Sequence, residues 1–452
     1  MRIRKRKRKR NRIRRIRRIR HIRRIRHIRR IRSIRNRNHN SNSNSNSNSM
    51  RIKWKKSTSI PSGIEETFFG MIGNKLIYSC GFNGGIPFSY ATNRSDRKVK
   101  KYIRGFKNDG YYLDLNEKNT WNSIPKFPGT GRQGGRTVCI DNTMYCYGGY
   151  VFAPTRIHGK STNNKRKKSF RTLQDGYALK YTDNKWTWTK LPNLPISMTG
   201  FGMTKINNYI YICCGAHRKA HYRCPHLMVK VKNTEIGRIL YRLDINNLNK
   251  GWEKYDTFPG TLRFNPAMTS IGDKIYIIGG IYPNQRWIPS KKDISNRFYN
   301  TNENWEYNTV TKEWSLIKTN ISNGLSNWGP CNDEIVYKDR YIILIGGYSY
   351  RYFIKKNKLV KNSMYNGRFS NKIIIYDTVT DSCYNDNTLF GRKNVPGYII
   401  RNNKIYLIGG EAEKYKFEKE YFGRHSDVFA IGEINEPSFD LISLLSRLTT
   451  KQ

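Results

Sequence analysis

The sequence predicts an all-β protein that is built from six repeats of one four-stranded unit. The main observation is a short apolar run that ends on two glycines, as in residues 274–280 (KIYIIGG). Six copies at one near-constant period indicate a repeat architecture, in which each unit buries its faces only against its neighbours. The copies end 63 to 68 residues apart, at Gly81, Gly149, Gly215, Gly280, Gly347 and Gly410.

Each run has the composition of a buried β-strand. Ile and Tyr dominate it, it is too short for a helix, and it is apolar on both faces. The glycines supply a backbone that takes positive φ and lies close to a neighbouring layer. In two copies a cysteine, Cys80 or Cys214, replaces the first glycine. We expect these glycines to be structural: Gly81, Gly148, Gly149, Gly215, Gly279, Gly280, Gly346, Gly347, Gly409 and Gly410.

The rest of each repeat predicts three more strands. An apolar segment and a turn of Asn, Asp or Gly precede the run, as at Ile271-Gly272-Asp273, which is typical of a tight hairpin. A polar insertion follows the glycines, and then a third strand such as residues 373–377. A large ring often comes soon afterwards and is expected to pack near the outer end of its unit, namely Trp121, Trp188, Trp252 and Trp314.

This pattern resembles the kelch motif of β-propellers. The motif has four strands, a double glycine that closes the second, and a Tyr and a Trp separated by six residues, as in Tyr181 to Trp188 and Tyr307 to Trp314. The resemblance covers roughly residues 51–436 and implies a six-bladed kelch-type propeller. Its motifs give almost no information about function, because the repeated residues are those that pack the blades together. Within a propeller of residues 50–436, the blades are expected at roughly 65–125, 134–195, 200–259, 265–320, 332–390 and 396–436.

Two segments compete to complete the sixth blade. Residues 50–62 resemble the outer strand of other repeats, and we expect them to pair with the last blade and close the ring. The competing segment is residues 439–442, directly after the last repeat. Leucines in the tail, residues 437–452, fit one face of a helix and predict a short docked helix there.

The first 49 residues predict a disordered basic arm followed by an Asn/Ser linker. The chain has a formal charge of +53, and 22 Lys and Arg residues of the arm occur with no acidic residue. Isoleucine recurs at every third position from Ile13 to Ile34, which fits one face of neither a helix nor a strand. The arm directs nuclear import through residues 5–10, or it binds nucleic acid or anionic lipid. The alternative is a low-complexity expansion, or an extension upstream of a start at Met50.

The insertions between second and third strands are expected to emerge on one face of the propeller. Several of them are basic and contain aromatic residues, and the chain after the arm still has a formal charge of +31. Basic loops on one rim predict an acidic protein partner there. The residues expected at this partner face are Lys165, Arg166, Lys167, Lys168, Lys355, Lys356, Lys358 and Trp287.

One cluster has the residue types of a zinc site. Its ligand candidates are Cys214, His217, His221, Cys224 and His226, and short Cys and His spacings suit Zn²⁺. Cys213 and Cys214 occupy strand positions, however, where side chains point to opposite faces, and basic residues lie among the candidates. We therefore expect no metal and no cofactor.

Catalytic motifs are absent from the sequence, although the kelch resemblance includes copper oxidases and six-bladed sugar mutarotases. Residues just before first strands either line a small-molecule site at the mouth of the central channel or fill the channel with hydrogen bonds. These residues are Gln133, Arg136, Arg263, Asn265 and Trp328.

The leading functional hypothesis is a non-enzymatic, monomeric scaffold that binds another protein. The alternatives are a small-sugar-binding or mutarotase-like propeller, and charge-driven association with nucleic acid. The sequence shows neither a secretory signal nor an apolar run of membrane-spanning length, which predicts a protein of the cytoplasm or nucleus.

Overall fold

In the computed structural model, the regular secondary structure of the described residues consists almost entirely of β-strands. Two short 3₁₀ turns, Ile236–Arg238 and Leu248–Lys250, occur among them. The residues that the structure describes are 50–83, 105–117, 120–154, 168–216, 236–283, 298–321, 331–350, 352–355, 358–361, 369–412, 415–417, 420–422 and 426–436.

Six antiparallel four-stranded sheets form the blades of a propeller, as predicted. Each first strand contacts the first strands of the two neighbouring blades, so these strands line a central channel. From first to outer strand, blade 1 is Phe68–Ile72, Lys75–Ser79, Gly110–Asp114 and Asn122–Ile124, and blade 2 is Arg136–Ile140, Thr143–Tyr147, Gly176–Thr182 and Lys185–Leu191. In the same order, blade 3 is Gly202–Ile206, Tyr209–Cys213, Ile239–Asp244 and Glu253–Thr257, and blade 4 is Ala267–Ile271, Lys274–Ile278, Asn304–Asn308 and Glu313–Ile317. Blade 5 is Val336–Tyr337, Tyr341–Ile345, Ile373–Asp377 and Ser382–Asp386, and blade 6 is Gly397–Arg401, Lys404–Ile408, Phe429–Asn435 and Arg51–Lys56.

The outer strand of blade 6 comes from the other end of the propeller sequence. Arg51–Lys56 pairs antiparallel with Phe429–Asn435 over its whole length. The backbone N–H of Ile52 donates to Oδ2 of Asp386 in blade 5 at 2.8 Å, which ties this strand to the neighbouring blade. The competing segment 439–442, the tail 437–452 and the arm 1–49 lie outside the described residues.

Strand direction defines two faces of the propeller. Every first strand runs towards a hairpin turn, and we call the side with these turns the turn face. The second strands end, and the third strands begin, on the opposite side, which we call the insertion face. Short extra strands continue several insertions beyond the blades: Phe82–Asn83 with Gly105–Phe106, Tyr150–Pro154 with Lys168–Thr172, Ile281–Pro283 with Phe298–Thr301, Tyr352–Lys355 with Lys358–Lys361, Lys393–Asn394 with Glu411–Ala412, and Tyr415–Phe417 with Glu420–Phe422.

The glycine pairs end the second strands with a left-handed backbone. Gly148 has φ +64° and Gly149 has φ +99°, and a Cβ at Gly148 would approach the carbonyl oxygen of Met198 to 2.7 Å. The cysteines that replace first glycines, Cys80 and Cys214, also have positive φ, at +63° and +65°. The repeat therefore needs this backbone conformation even where the residue is not glycine.

The tryptophans after the third strands join each blade to the preceding one. Cys383 takes this position in blade 5, and its sulfur contacts the carbonyl oxygen of Asn320 at the exit of blade 4. Edge-to-face contacts between aromatic rings across these interfaces add to the stabilisation from the apolar area that the blades bury. The ring-centroid distances are 5.2 Å for Trp54 to Phe390, 5.6 Å for Trp121 to Phe429, 5.2 Å for Trp188 to Phe127, 5.2 Å for Trp252 to Tyr147, and 5.2 Å for Trp314 to Phe258.

Candidate functional site

The link into blade 5 enters the central channel and closes it. Residues 331–334 (Cys-Asn-Asp-Glu), which we call the central plug, precede a first strand of only two residues, Val336–Tyr337. The first three plug residues are almost completely buried. The other repeats have no acidic residue where blade 5 has Asp333 and Glu334, and this acidic pair is the signal that could have indicated the plug.

The side chain of Asn332 connects the plug to blades 1 and 6. Its Nδ2 donates to the carbonyl oxygen of Phe69 at 3.1 Å and to that of Tyr398 at 3.0 Å. Its Oδ1 accepts from the backbone N–H of Glu334 at 2.9 Å. One buried amide therefore fixes the conformation of the plug and its position in the ring.

The rest of the plug binds the remaining blades. The backbone N–H of Thr137 in blade 2 donates to the Cys331 carbonyl at 2.9 Å. Thr204 of blade 3 donates through its hydroxyl to Oδ2 of Asp333 at 3.1 Å, and Thr269 of blade 4 donates to the Asp333 carbonyl at 2.6 Å. The plug thus contacts every other blade, and it separates the two mouths of the channel.

The insertion-face mouth is bordered by a chain of backbone hydrogen bonds. Asn265 N–H donates to Gly200 O at 2.6 Å, Gly200 N–H to Gly134 O at 3.0 Å, and Gly134 N–H to Glu66 O at 3.2 Å. Each of these four residues stands two positions before the first strand of its blade and has positive φ. The mouth is therefore held by main-chain geometry that crosses four blades.

Four polar side chains meet at this mouth. Gln133 donates through Nε2 to Oε2 of Glu66 at 2.6 Å, and Arg136 donates through Nη2 to Oδ1 of Asn265 at 3.0 Å. Burial raises the pKa of Glu66 and lowers the pKa of Arg136. Nε of Arg136 has no hydrogen-bond acceptor among the described residues. Buried polar groups of opposite charge thus stand close together here.

The structure brings together three of the five residues predicted for the mouth, Gln133, Arg136 and Asn265. Glu66 was missed, although it stands at the same repeat position as Asn265. Trp328 lies outside the described residues.

Arg263 does not belong to the mouth, so this prediction is wrong. Its Nη1 donates to the carbonyl oxygens of Gly279 at 2.9 Å and Glu303 at 2.5 Å, and its guanidinium lies 5.1 Å from the Phe258 ring. Arg132, at the same position in blade 2, is held similarly and forms two hydrogen bonds to Asp175 at 2.6 and 2.7 Å. These buried arginines connect the glycine turn of a blade to its third strand.

Most of the predicted partner face lies outside the described residues. This holds for Lys165, Arg166, Lys167, Lys356 and Trp287. The three others begin or end short strands beyond the blades, which are Lys168–Thr172, Tyr352–Lys355 and Lys358–Lys361.

The candidate zinc cluster is represented by Cys214 alone, because His217, His221, Cys224 and His226 lie outside the described residues. Among residues that the structure covers, no group of three or more metal-ligand side chains occurs. The sulfurs of Cys213 and Cys214 are 3.7 Å apart, so the expectation that they point to opposite faces is wrong. The reason is that the strand ends at Cys213, and Cys214 takes the left-handed conformation of the first glycine.

Within the described part of the chain, no helix is long and apolar enough to cross a membrane.

Comparison with known proteins finds relatives of two kinds. The chain is 27% identical over 212 residues to Kelch repeat and BTB domain-containing protein 2 of horsepox virus, a match that covers 45% of this chain and 33% of that protein. It is 27% identical over 175 residues to N-acetylneuraminate epimerase of Vibrio cholerae serotype O1, covering 38% and 36%. It is 24% identical over 241 residues to N-acetylneuraminate epimerase of Salmonella typhi, covering 49% and 55%.

A solved structure gives the same fold. The chain matches the structure described as "Structure of YjhT" with a TM-score of 0.53 at 16% identity, over 84% of this chain and 99% of that chain. The chain is a six-bladed β-propeller with kelch-type repeats. No protein-family model matches it. This kelch propeller spans between a third and about half of the length of the curated relatives that it matches.

Proposed function

We propose that this kelch propeller is a non-enzymatic scaffold whose insertion face binds an acidic protein. The observation that carries the proposal is the common direction of the blades. All six second strands end, and all six third strands begin, on the insertion face, so every insertion starts and finishes there. Loops held on one side of a rigid ring are a frequent basis of protein recognition.

The charge of the insertions supports an acidic partner. The segments 84–104, 155–167, 217–235 and 284–297 together contain 20 Lys and Arg residues and three Asp and Glu residues. An excess of one sign on one face raises the association rate with a partner of opposite sign and disfavours partners of the same sign. The blades themselves carry much less of this excess.

The central plug argues against a reaction that needs an open channel. The plug fills the ring between the two mouths, and most polar groups at the insertion-face mouth already pair with each other, as Gln133 does with Glu66. Binding therefore falls to the surface of the insertion face rather than to the interior.

The test compares two variants that each remove three positive charges. In one, Lys165, Arg166 and Lys167 are replaced by Ser in an insertion. In the control, Arg51, Lys53 and Lys55, which are exposed on the outer strand of blade 6, are replaced by Ser. Tagged full-length proteins are crosslinked in native cells and purified with nuclease present, and the recovered partners are then quantified.

We expect a stoichiometric, acidic partner that the control retains and the insertion variant loses at least tenfold. Equal loss in both variants would show that the partner responds to net charge alone. Absence of any stoichiometric partner after nuclease treatment would also contradict a scaffold role.

A sugar-processing role is the second candidate, and one buried group favours it. Nε of Arg136 faces no described acceptor, and a buried guanidinium suits an anionic or hydroxyl-rich ligand. Two of the relatives are named N-acetylneuraminate epimerase. The test follows the interconversion of N-acetylneuraminate epimers by NMR, with the native protein and an Arg136→Gln variant. Acceleration by the native protein that the variant lacks would favour this role over the scaffold.

A further inference from the structure

The turn face contains a cavity that neither proposed role uses. It measures about 620 Å³, and residues from all six blades line it. Pockets of this size commonly accept small molecules. Its polar side chains are Asp141, Lys205, Asn207, Asp273, Glu334 and Arg401. Hairpin-turn residues such as Asp141 and Asp273 line the cavity, and Glu334 of the central plug forms its inner end. The cavity therefore lies on the opposite side of the plug from the insertion-face mouth.

Lys205 is charged here, but its ammonium group has no close hydrogen-bond acceptor among the described residues. Its Nζ lies 3.7 Å from Oδ1 of Asp333 and 3.7 Å from Oε1 of Glu334, which is longer than a hydrogen bond of normal geometry. Burial opposes its charge, but the two carboxylates outweigh this effect and raise the pKa of Lys205. An ammonium group with three N–H donors is therefore held at the cavity without its usual partners.

An acceptor beside it is also incompletely satisfied. Asp333 is 5% exposed, and its Oδ2 accepts from the Thr204 hydroxyl and from the Lys205 backbone N–H. Its Oδ1 has no hydrogen-bond donor among the described residues.

Arg401 adds further donors to the same end of the cavity. Its Nη2 donates to Oε2 of Glu334 at 2.6 Å, and its side chain is 46% exposed. A guanidinium has five N–H donors, so one bond to Glu334 leaves most of them for another acceptor. Lys205 and Arg401, on either side of Glu334, thus present more donors than the carboxylates there can accept.

The rim of the cavity has the opposite character. Asp141 and Asp273 are exposed at the hairpin turns of blades 2 and 4, and Asn207 occupies the turn of blade 3 between them. These side chains provide acceptors at the opening. The cavity therefore has Lys205 and Arg401 around the Glu334 carboxylate on its plug side, and the carboxylates of Asp141 and Asp273 at its rim.

We propose that this cavity binds a small zwitterion, an amino acid, with its carboxylate at Lys205 and Arg401 and its ammonium group at Asp141 and Asp273. Charge-assisted hydrogen bonds to both ends favour such a ligand. An anion without the ammonium group meets the rim carboxylates, and an amine without the carboxylate meets Lys205 and Arg401. The site does not depend on the proposed scaffold role, because it lies on the other face.

The test uses ligand-observed NMR and thermal melting with the full-length protein. The twenty common L-amino acids are screened at millimolar concentration, and L-alanine, propionate and isopropylamine then form a matched set that lacks one charged group at a time. The variants are Lys205→Met and Arg401→Gln, with Lys126→Met as the control, since Lys126 is 74% exposed and its one ion pair with a described residue is to Asp109. The Arg401→Gln variant changes a half-exposed side chain, so we expect this variant to stay folded. It therefore keeps the test valid even if Lys205→Met destabilises the ring.

We expect at least one amino acid to bind and to raise the melting temperature, with affinity reduced tenfold or more by either cavity variant and unchanged by the control. Propionate and isopropylamine should each bind at least tenfold more weakly than L-alanine. No binding by any of the twenty amino acids would overturn the proposal and leave the cavity to water. Equal binding of propionate, or unchanged binding by Arg401→Gln, would overturn it as well.

Discussion

Replacing Asn332 by Ala should destabilise the whole propeller, because this one amide connects three segments of the ring. The side chain donates to Phe69 O and Tyr398 O and accepts from the Glu334 N–H, all at 3.1 Å or less. Asn332 is 3% exposed, so water does not replace these partners readily. With alanine at position 332, the carbonyl oxygens of Phe69 and Tyr398 and the N–H of Glu334 each lose this side chain as a hydrogen-bond partner.

The expected loss follows from the number of bonds. Each net hydrogen bond contributes about 1 kcal/mol, and stranded buried groups cost more, so the three bonds give about 3–5 kcal/mol. Unfolding entropy of about 2.1 cal/mol/K per residue gives about 0.8 kcal/mol/K for a propeller of roughly 390 residues. The melting temperature should therefore fall by about 4–6 °C.

Scanning calorimetry of the native protein and the variant measures this fall. The control is Asn122→Ala, since Asn122 is exposed and its side-chain amide donates, within the described part of the chain, only to the nearby Thr120 carbonyl. This control should change the melting temperature by less than about 1 °C, as for other surface substitutions. A shift for Asn332→Ala no larger than that of the control would refute the role of the plug as a tie between blades.

Three further predictions concern other parts of the chain. A protein that begins at Glu65 should melt several degrees below one that begins at Met50, because blade 6 loses its outer strand and the ring of Trp54; equal melting temperatures would contradict the role of that strand in closure. If residues 1–49 bind polyanions, their presence should make the log–log salt dependence of DNA affinity steeper by several units, measured against a protein that begins at Met50; equal slopes would assign such binding to the propeller. Burial lowers the pKa of Lys393 from 10.5 to about 7, so the unfolded chain binds an extra proton between these values and stability should rise with pH across that range. Lys393→Met should abolish the rise in a series of denaturant titrations, and an unchanged profile would show that another group causes it.

Local patterns were sufficient to predict the blades. A run rich in Ile and Tyr that ends on two glycines predicts both a buried strand and the turn after it. The turn is predictable because the two glycines themselves take the positive φ that it needs. The recurrence of the run then gives the number of blades. Even Cys214 fits, because the repeat requires a left-handed residue there whatever its side chain.

The interior of the channel could not be predicted in the same way. Asn332 and Asp333 owe their positions to groups of blades 1, 3, 4 and 6, which are far away in sequence and have no pattern of their own. Arg263 was misplaced for a related reason, since proximity to a first strand does not show which way a long side chain points. Its contacts with Glu303 and Phe258 turn it away from the channel.

The plug also determines how the two faces relate to each other. The carboxylate of a ligand in the turn-face cavity would accept from Lys205 and Arg401, which already contact Asp333 and Glu334 of the plug. Such a ligand raises the stability of the ring by mass action. Ligand binding in the cavity changes the affinity of the insertion face for its partner only under one condition. The protein must have two conformations of that face, and the ligand must bind one of them more tightly than the other. Because the backbone chain from Asn265 to Glu66 holds the mouth independently of the side chains in the cavity, we expect the coupling between the two faces to be weak.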